Sequence, residues 1–262
     1  MSITASELTF DPAVAMARQA LYRFAALTLL DPKFGSWEKL VDLRDDAVLS
    51  EAAALLCDLP EAIPEKLAPG ERSLAELDVS AVMAELHETR DEFNRHFETT
   101  FGLLVSNACP PYETEYIDGK FTFQRGHALA DISGFYQAFG VTTSESHPER
   151  PDHIVQELEF MAFLIGLTRQ ADQSDSSVRA DRMRVCCDAQ ERFLRDHLTW
   201  WTPAFSTLLS REDSGGFYDA AAGFLSAFIT AERALHSIPA IAGPAAPSAL
   251  EQPDECEGCQ LT

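Results

Sequence analysis

The side chains capable of chemistry gather in one stretch of this 262-residue chain. Between Pro110 and Phe160 stand nine carboxylates (Glu113, Glu115, Asp118, Asp131, Glu145, Glu149, Asp152, Glu157 and Glu159) against three basic residues. Tyr112 and Tyr116 are set among them in the run Pro-Pro-Tyr-Glu-Thr-Glu-Tyr, residues 110–116. Carboxylates beside aromatic rings suit a basic peptide with apolar residues next to its Arg or Lys, because a guanidinium can pair bidentately with a carboxylate and stack on Tyr. Asp152 falls in the first turn of a predicted helix, where exposed amides favour an anion. His153 at the same end is pushed toward neutral by the helix dipole and toward charged by the surrounding acids.

Three other constellations carry possible chemistry. His147, His153 and Glu157 could ligate a metal, but their spacing matches no metal motif, and a helix-terminal His with a carboxylate at i+4 reads as an ordinary surface pair. A hydrolase built on Glu113, Asp152 and His153 needs a nucleophile or a metal that the sequence does not clearly supply. No GxGxxG, GxSxG or HExxH motif is present, and Gly119-Lys120 follows no phosphate-loop pattern, so no cofactor is expected. Cys256-x-x-Cys259 offers two soft ligands where a structural zinc site wants four. Two tails in a dimer, or a partner's cysteines, would complete it. The same pair could serve a metal-linked or redox scaffold, or be reduced thiols with no role. The other cysteines, 57, 109, 186 and 187, form no framework, which fits reduced thiols in a cytoplasmic protein.

The elements that must position these residues read as helices throughout. Asp11-Pro12 opens a long amphipathic helix that Asp31-Pro32 closes, and helices follow at 36–44 and 47–58. Four breakers, Pro60, Pro64, Pro69 and Gly70, make 59–72 a loop. The stripe Val79, Val82, Leu86, Arg90, Phe93 and Phe97 predicts one strong helix over 78–98. From 102 to 125 no helical period survives. Helix resumes at 127–139 with Gly140 as its terminator, then from Pro151 to about 170, over 177–197, from Thr202-Pro203 for a short stretch, and along the Phe217, Ala221, Phe224, Phe228, Leu235 face. No period-2 strand appears. The reading is an all-α helical bundle of about nine or ten helices, with Cys186 and Cys187 at its core or boundary. Residues 238–262 form a flexible Pro-rich tail.

Composition limits the partners. The chain carries 20 Lys+Arg against 42 Asp+Glu, a formal net charge of −22, which argues against nucleic acid or an anionic membrane. No apolar run approaches the ~18 residues of a membrane span. The N-terminus lacks a basic segment followed by an apolar one, so no secretory signal is expected.

Taken together, Pro110–Tyr116, the helix end Phe135-Tyr136-x-x-Phe139-Gly140, Glu149-Arg150-Pro151-Asp152-His153 leading into Glu157-Leu158-Glu159-Phe160-Met161, and His197-Leu198-x-Trp200-Trp201 resemble the TorD/DmsD/NarJ family of molybdoenzyme maturation chaperones. The resemblance covers roughly residues 10–237. Thr114 stands where Ser is common, and the Cys-bearing tail extends beyond the usual fold. The resemblance implies a TorD-like fold with an N-terminal lobe (1–140), a hinge (141–151) and a C-terminal lobe (152–237), as a monomer or a domain-swapped dimer. It implies a cytoplasmic, non-enzymatic chaperone that binds the twin-arginine signal peptide of an apo catalytic subunit of a molybdenum oxidoreductase, assists cofactor insertion and delays export. Asp152 and His153 match the family's signature, Tyr112, Glu113, Glu115 and Tyr116 form the other candidate wall, and Glu157 completes the set.

Overall fold

Carboxylate and hydroxyl caps start many of the helices. A computed structural model describes residues 10–102, 108–117, 122–142, 149–174, 176–241 and 243–244. Asp11 accepts from Ala13 N at 2.8 Å and launches α1 (Pro12–Leu29). After α2 (Ser36–Leu43), Asp46 caps α3 (Ala47–Cys57) and Asp78 caps α4 (Val79–Ala84). Each cap satisfies amides that a helix start leaves without partners.

The single helix predicted over 78–98 is in fact two. α4 ends at Ala84, and Thr89, in extended conformation, caps a new helix α5 (Arg90–Phe101) through Glu92 N while its hydroxyl donates to Glu92 Oε2 at 2.8 Å. Between them, side chains take the carbonyls that a continuous helix would use: Trp37 Nε1 donates to His87 O at 3.0 Å and Arg44 Nη2 to Leu86 O at 3.2 Å. The apolar stripe runs across the break, with Val79, Val82, Leu86 and Phe93 buried, whereas Arg90 is exposed and pairs with Glu38.

The irregular stretch is shorter than expected. Glu113–Tyr116 form a 3₁₀ turn, and α6 (Thr122–Ala138) begins some five residues early. Gly140, at φ +71°, ends it in the left-handed conformation that glycine adopts without a Cβ clash. α7 (Ile154–Asp172) starts after Asp152, not before it, because His153 is its N-cap and Asp152 belongs to the preceding segment. Glu113 N donates to Asp152 O and Ile154 N to Pro111 O, both at 2.9 Å, forming one antiparallel bridge between Tyr112 and His153. That bridge is the only β pairing among the described residues.

α8 (Ser176–Phe193) does not stop before Pro203. A π turn, Leu194–Leu198, carries it into α9 (Thr199–Glu212), with Pro203 inside the helix. The wide turn ends just upstream of Pro203, and within the same stretch the hydroxyls of Thr199 and Thr202 donate back to Arg195 O and Leu198 O. α10 (Phe217–Leu235) is the most enclosed element, packing against α9 and α1. Its buried charges are paired: Glu232 takes both Arg18 nitrogens at 2.7 Å, and Arg233 reaches Glu71 Oε2 at 2.9 Å. α1 also lies along α7 and α3, and α7 along α8, so one core joins the elements. Edge-to-face pairs Tyr22–Phe228, Phe24–Phe224 and Phe93–Phe217 fill its centre.

No helix among the described residues is long and apolar enough to cross a membrane. Cys256, Cys259, His147, Asp118 and Glu145 lie outside the described residues, as do 143–148 of the 141–151 link and all but the start of the 238–262 tail. Cys186 is buried and Cys187 exposed.

Candidate functional site

The 110–117 segment is pinned across the head of α7, and Asp152 is the pin. Its side chain is fully buried, and its carboxylate accepts four hydrogen bonds: Thr114 N at 3.2 Å, Thr114 Oγ1 at 2.7 Å, Arg150 Nε at 3.0 Å and Arg150 Nη2 at 2.7 Å. The Arg150 guanidinium lies 4.2 Å from the centre of the Tyr112 ring, and its Nη1 stands 3.4 Å from Glu115 Oε1. Tyr112 donates its hydroxyl to Glu149 Oε1 at 3.1 Å. Burial and the adjacent Glu149 push that phenol up to about 12. The seat that the sequence offered to a peptide arginine at Asp152 thus holds the chain's own Arg150.

His153 serves the backbone. Its Nδ1 accepts from Val155 N at 3.2 Å, and its ring meets Tyr112 edge-on. Burial pushes its pKa down to about 4, outweighing the Glu149 and Asp152 carboxylates. Tyr116 is a core residue whose hydroxyl donates to Pro110 O at 3.0 Å and whose ring packs on Trp201.

Glu113 and Glu115 leave the 3₁₀ turn in opposite directions. Glu115 reaches Arg125 at 3.0 Å and is partly exposed. Glu113 turns inward, accepting from Trp200 Nε1 at 2.8 Å, with His197 Nδ1 3.2 Å from its Oε2. Glu157 is buried behind it and accepts from Trp201 Nε1 at 3.3 Å, leaving Oε1 with no hydrogen bond. Burial and the nearby Glu113 carboxylate hold the Glu157 pKa well above the usual range, so this side chain retains its proton. The exposed His153–Glu157 pair read from the i, i+4 spacing is therefore absent, because α7 turns Glu157 into the core.

Glu113 forms the floor of an open cleft of about 620 Å³ between α6 and the α8–α9 junction, with Ile117, Asp131, Asp196, His197 and Trp200 on its walls. His197 Nε2 points at Asp131 Oδ2 across 3.4 Å without forming a hydrogen bond. The His197 ring is clasped by Phe135 and Phe193.

Tyr116 apart, which belongs to the core, the predicted residues divide into two groups. Tyr112, Glu115, Asp152 and His153 form one face with Arg150 and Glu149, whereas Glu113 and Glu157 belong to a separate acid cluster. The hydrolase constellation is dispersed: Glu113 faces His197, Asp152 faces Arg150, and His153 is occupied by a backbone amide. The described residues hold no group of three or more His, Cys, Asp or Glu placed to bind a metal. Sequence reasoning missed Arg150 as the occupant of Asp152, and His197, Trp200, Asp131 and Asp196 as walls of the cleft. The signal available was the His-Leu-x-Trp-Trp run, whose His and first Trp point to Glu113 and whose second Trp points to Glu157.

The chain matches the family described as nitrate reductase delta subunit over residues 62–207, a span that includes the pinned segment, α7 and the cleft. Chaperone protein TorD of Aliivibrio salmonicida is 28% identical over 157 residues, covering 58% of this chain and 70% of the relative. Chaperone protein TorD of Aliivibrio fischeri is 27% identical over 198 residues, covering 75% and 80%. A perchlorate reductase assembly chaperone protein of Dechloromonas aromatica is 30% identical over 137 residues, covering 52% and 59%.

Proposed function

The chain belongs to the nitrate reductase delta subunit family, and from that premise we propose that it is a maturation chaperone, not an enzyme, for the catalytic subunit of a molybdenum oxidoreductase. In this reading it works in the cytoplasm, binds the N-terminal twin-arginine signal segment of that subunit, and holds it back from export while the molybdenum cofactor is inserted. Relatives named as chaperones, one of them for assembling perchlorate reductase, support the general role.

The observation that carries the finer reading is the open acidic cleft, with Trp200 and Ile117 on its walls and Glu113 at its floor. A basic segment followed by apolar residues meets there both charge of the opposite sign and apolar surface. Tyr112 and Glu115 offer a second, separate face to the same segment, held by the Asp152–Arg150 clamp and the His153 cap. Tyr116 and Glu157 lie behind them in the core.

Titration calorimetry of the full chain with a synthetic Arg-Arg-x-Phe-Leu peptide tests this reading. Saturable binding at about micromolar Kd is expected, weakening severalfold as salt rises from about 0.05 to about 0.3 M. Absence of saturable binding, or an affinity indifferent to salt, would count against it.

A further inference from the structure

The Asp152 seat is filled from within, so a client arginine must find another. We propose that the cleft beside α6 is that seat, and that it selects a guanidinium over an ammonium by presenting the exposed Asp131 carboxylate beside the Trp200 indole. The proposal rests on the signal-segment reading and specifies where in this surface the charge is read.

Four observations support it. His197 is 3% exposed, and its Nδ1 is engaged with Glu113. Its Nε2 lies on the cleft side, buried and without a hydrogen bond, 3.4 Å from Asp131 Oδ2. Nε2 and Oδ2 thus face each other without a hydrogen bond between them, and the Asp131 carboxylate keeps its acceptor capacity for an incoming donor. The Asp131 side chain is 63% exposed, so it can turn toward an incoming group, and its one ion pair among the described residues is with His197.

A guanidinium fits these demands. Its planar fork carries parallel N–H bonds that can reach both oxygens of a carboxylate together, and its face can lie on an indole such as Trp200. An ammonium is a point donor without that fork or face. Asp196 on the same wall is already paired with Arg195 at 3.0 Å, and Glu115 with Arg125 at 3.0 Å, whereas Asp131 has no Lys or Arg partner among the described residues. The chain's own Arg150 shows the recognition pattern in miniature, with its guanidinium bidentate to Asp152 and stacked on Tyr112.

Asp131→Asn is the discriminating variant, because the residue is exposed and its replacement leaves the core intact. The control is Glu51→Gln, the same change in charge at an exposed position on α3. Calorimetric titration uses two peptides that differ only in Arg-Arg against Lys-Lys. The wild-type chain is expected to favour the arginine peptide about tenfold, and Asp131→Asn to bring that preference below about twofold, while the control keeps it. The seat is overturned if Asp131→Asn leaves the arginine peptide's affinity within about twofold of wild type, or weakens both peptides alike as a general loss of charge would. A wild-type chain that binds neither peptide overturns the signal-segment reading itself, and the seat with it.

Discussion

The Asp152–Arg150 clamp yields the sharpest prediction about the head of α7. Asp152→Ala removes the acceptor of four hydrogen bonds and leaves the Thr114 amide without a partner in a buried site. A buried donor left unsatisfied costs roughly 1–3 kcal/mol, whereas the Thr114 hydroxyl can rotate to another acceptor. The Arg150 side chain is 37% exposed, so solvent screens the pair and its loss adds only about 1 kcal/mol. The variant should therefore lose about 3 kcal/mol. Arg150→Ala should lose about 2 kcal/mol by leaving a buried carboxylate with only the two Thr114 donors. Both single variants break the same pair, so the double variant should fall short of their sum by about 1 kcal/mol. The assay is urea unfolding, with the midpoint moving and the slope unchanged. In a chain of 262 residues, a loss of about 3 kcal/mol also lowers the melting temperature by about 6–12 °C. An Asp152→Ala variant within about 0.5 kcal/mol of wild type that has nonetheless lost peptide affinity would refute the clamp and make Asp152 a direct ligand contact.

Two further predictions concern pH. Glu157 keeps its proton in the folded chain, where burial and Glu113 raise its pKa, and gives it up when unfolded above about pH 4.3. The stability it contributes is present below that unfolded pKa and declines as pH rises toward the folded one, so between roughly pH 5 and pH 8 Glu157→Gln should gain on wild type by about 1.4 kcal/mol for each pH unit below the folded pKa. Unfolding at both pH values checks this, and a constant difference refutes it. His153 and His236 run the other way: burial lowers both to about 4, so their contribution is present above the unfolded value of about 6.5 and is lost as pH falls toward 4. His153→Asn, which keeps an acceptor at the N-cap, should flatten the fall in melting temperature over that window; an unchanged slope in the variant refutes the assignment.

The bundle was legible because its signals are local. Asp11-Pro12 and the Ile154, Leu158, Met161, Ile165, Thr168 face of α7 are each decided within a turn or two of chain, and all five of those α7 residues are buried. Failures arose where distant groups decided. The break between α4 and α5 is held by Trp37 and Arg44, some 40–50 residues away, and no periodicity within 78–98 announces them. Pro203 ordinarily marks a boundary, but a π turn upstream reset the helix around it. At the site, chemistry was legible and geometry was not. The acids and aromatics stand in the sequence as residue types, yet Glu113 and Glu115 separate at a 3₁₀ turn, and no sequence spacing reports that Trp200 Nε1 lies 2.8 Å from Glu113 Oε1.

That separation changes what the acidic composition means. The described bases of the 110–160 stretch are committed, Arg125 to Glu115 and Arg150 to Asp152 and Glu115, so the surface carrying the family signature is closer to neutral than its acid count suggests. Net charge then governs encounter rather than recognition: at −22 the whole chain draws a basic segment in, with a range set by the screening length of about 8–10 Å. Recognition falls to the acids without a Lys or Arg partner. Glu113 is tied to an indole and an imidazole, and Asp131 faces a buried nitrogen across 3.4 Å. A chain with the same composition but a second basic residue beside Asp131 would attract the same segments and distinguish arginine from lysine poorly. The number of acids sets how readily a client arrives; the absence of a base at one of them sets which client stays.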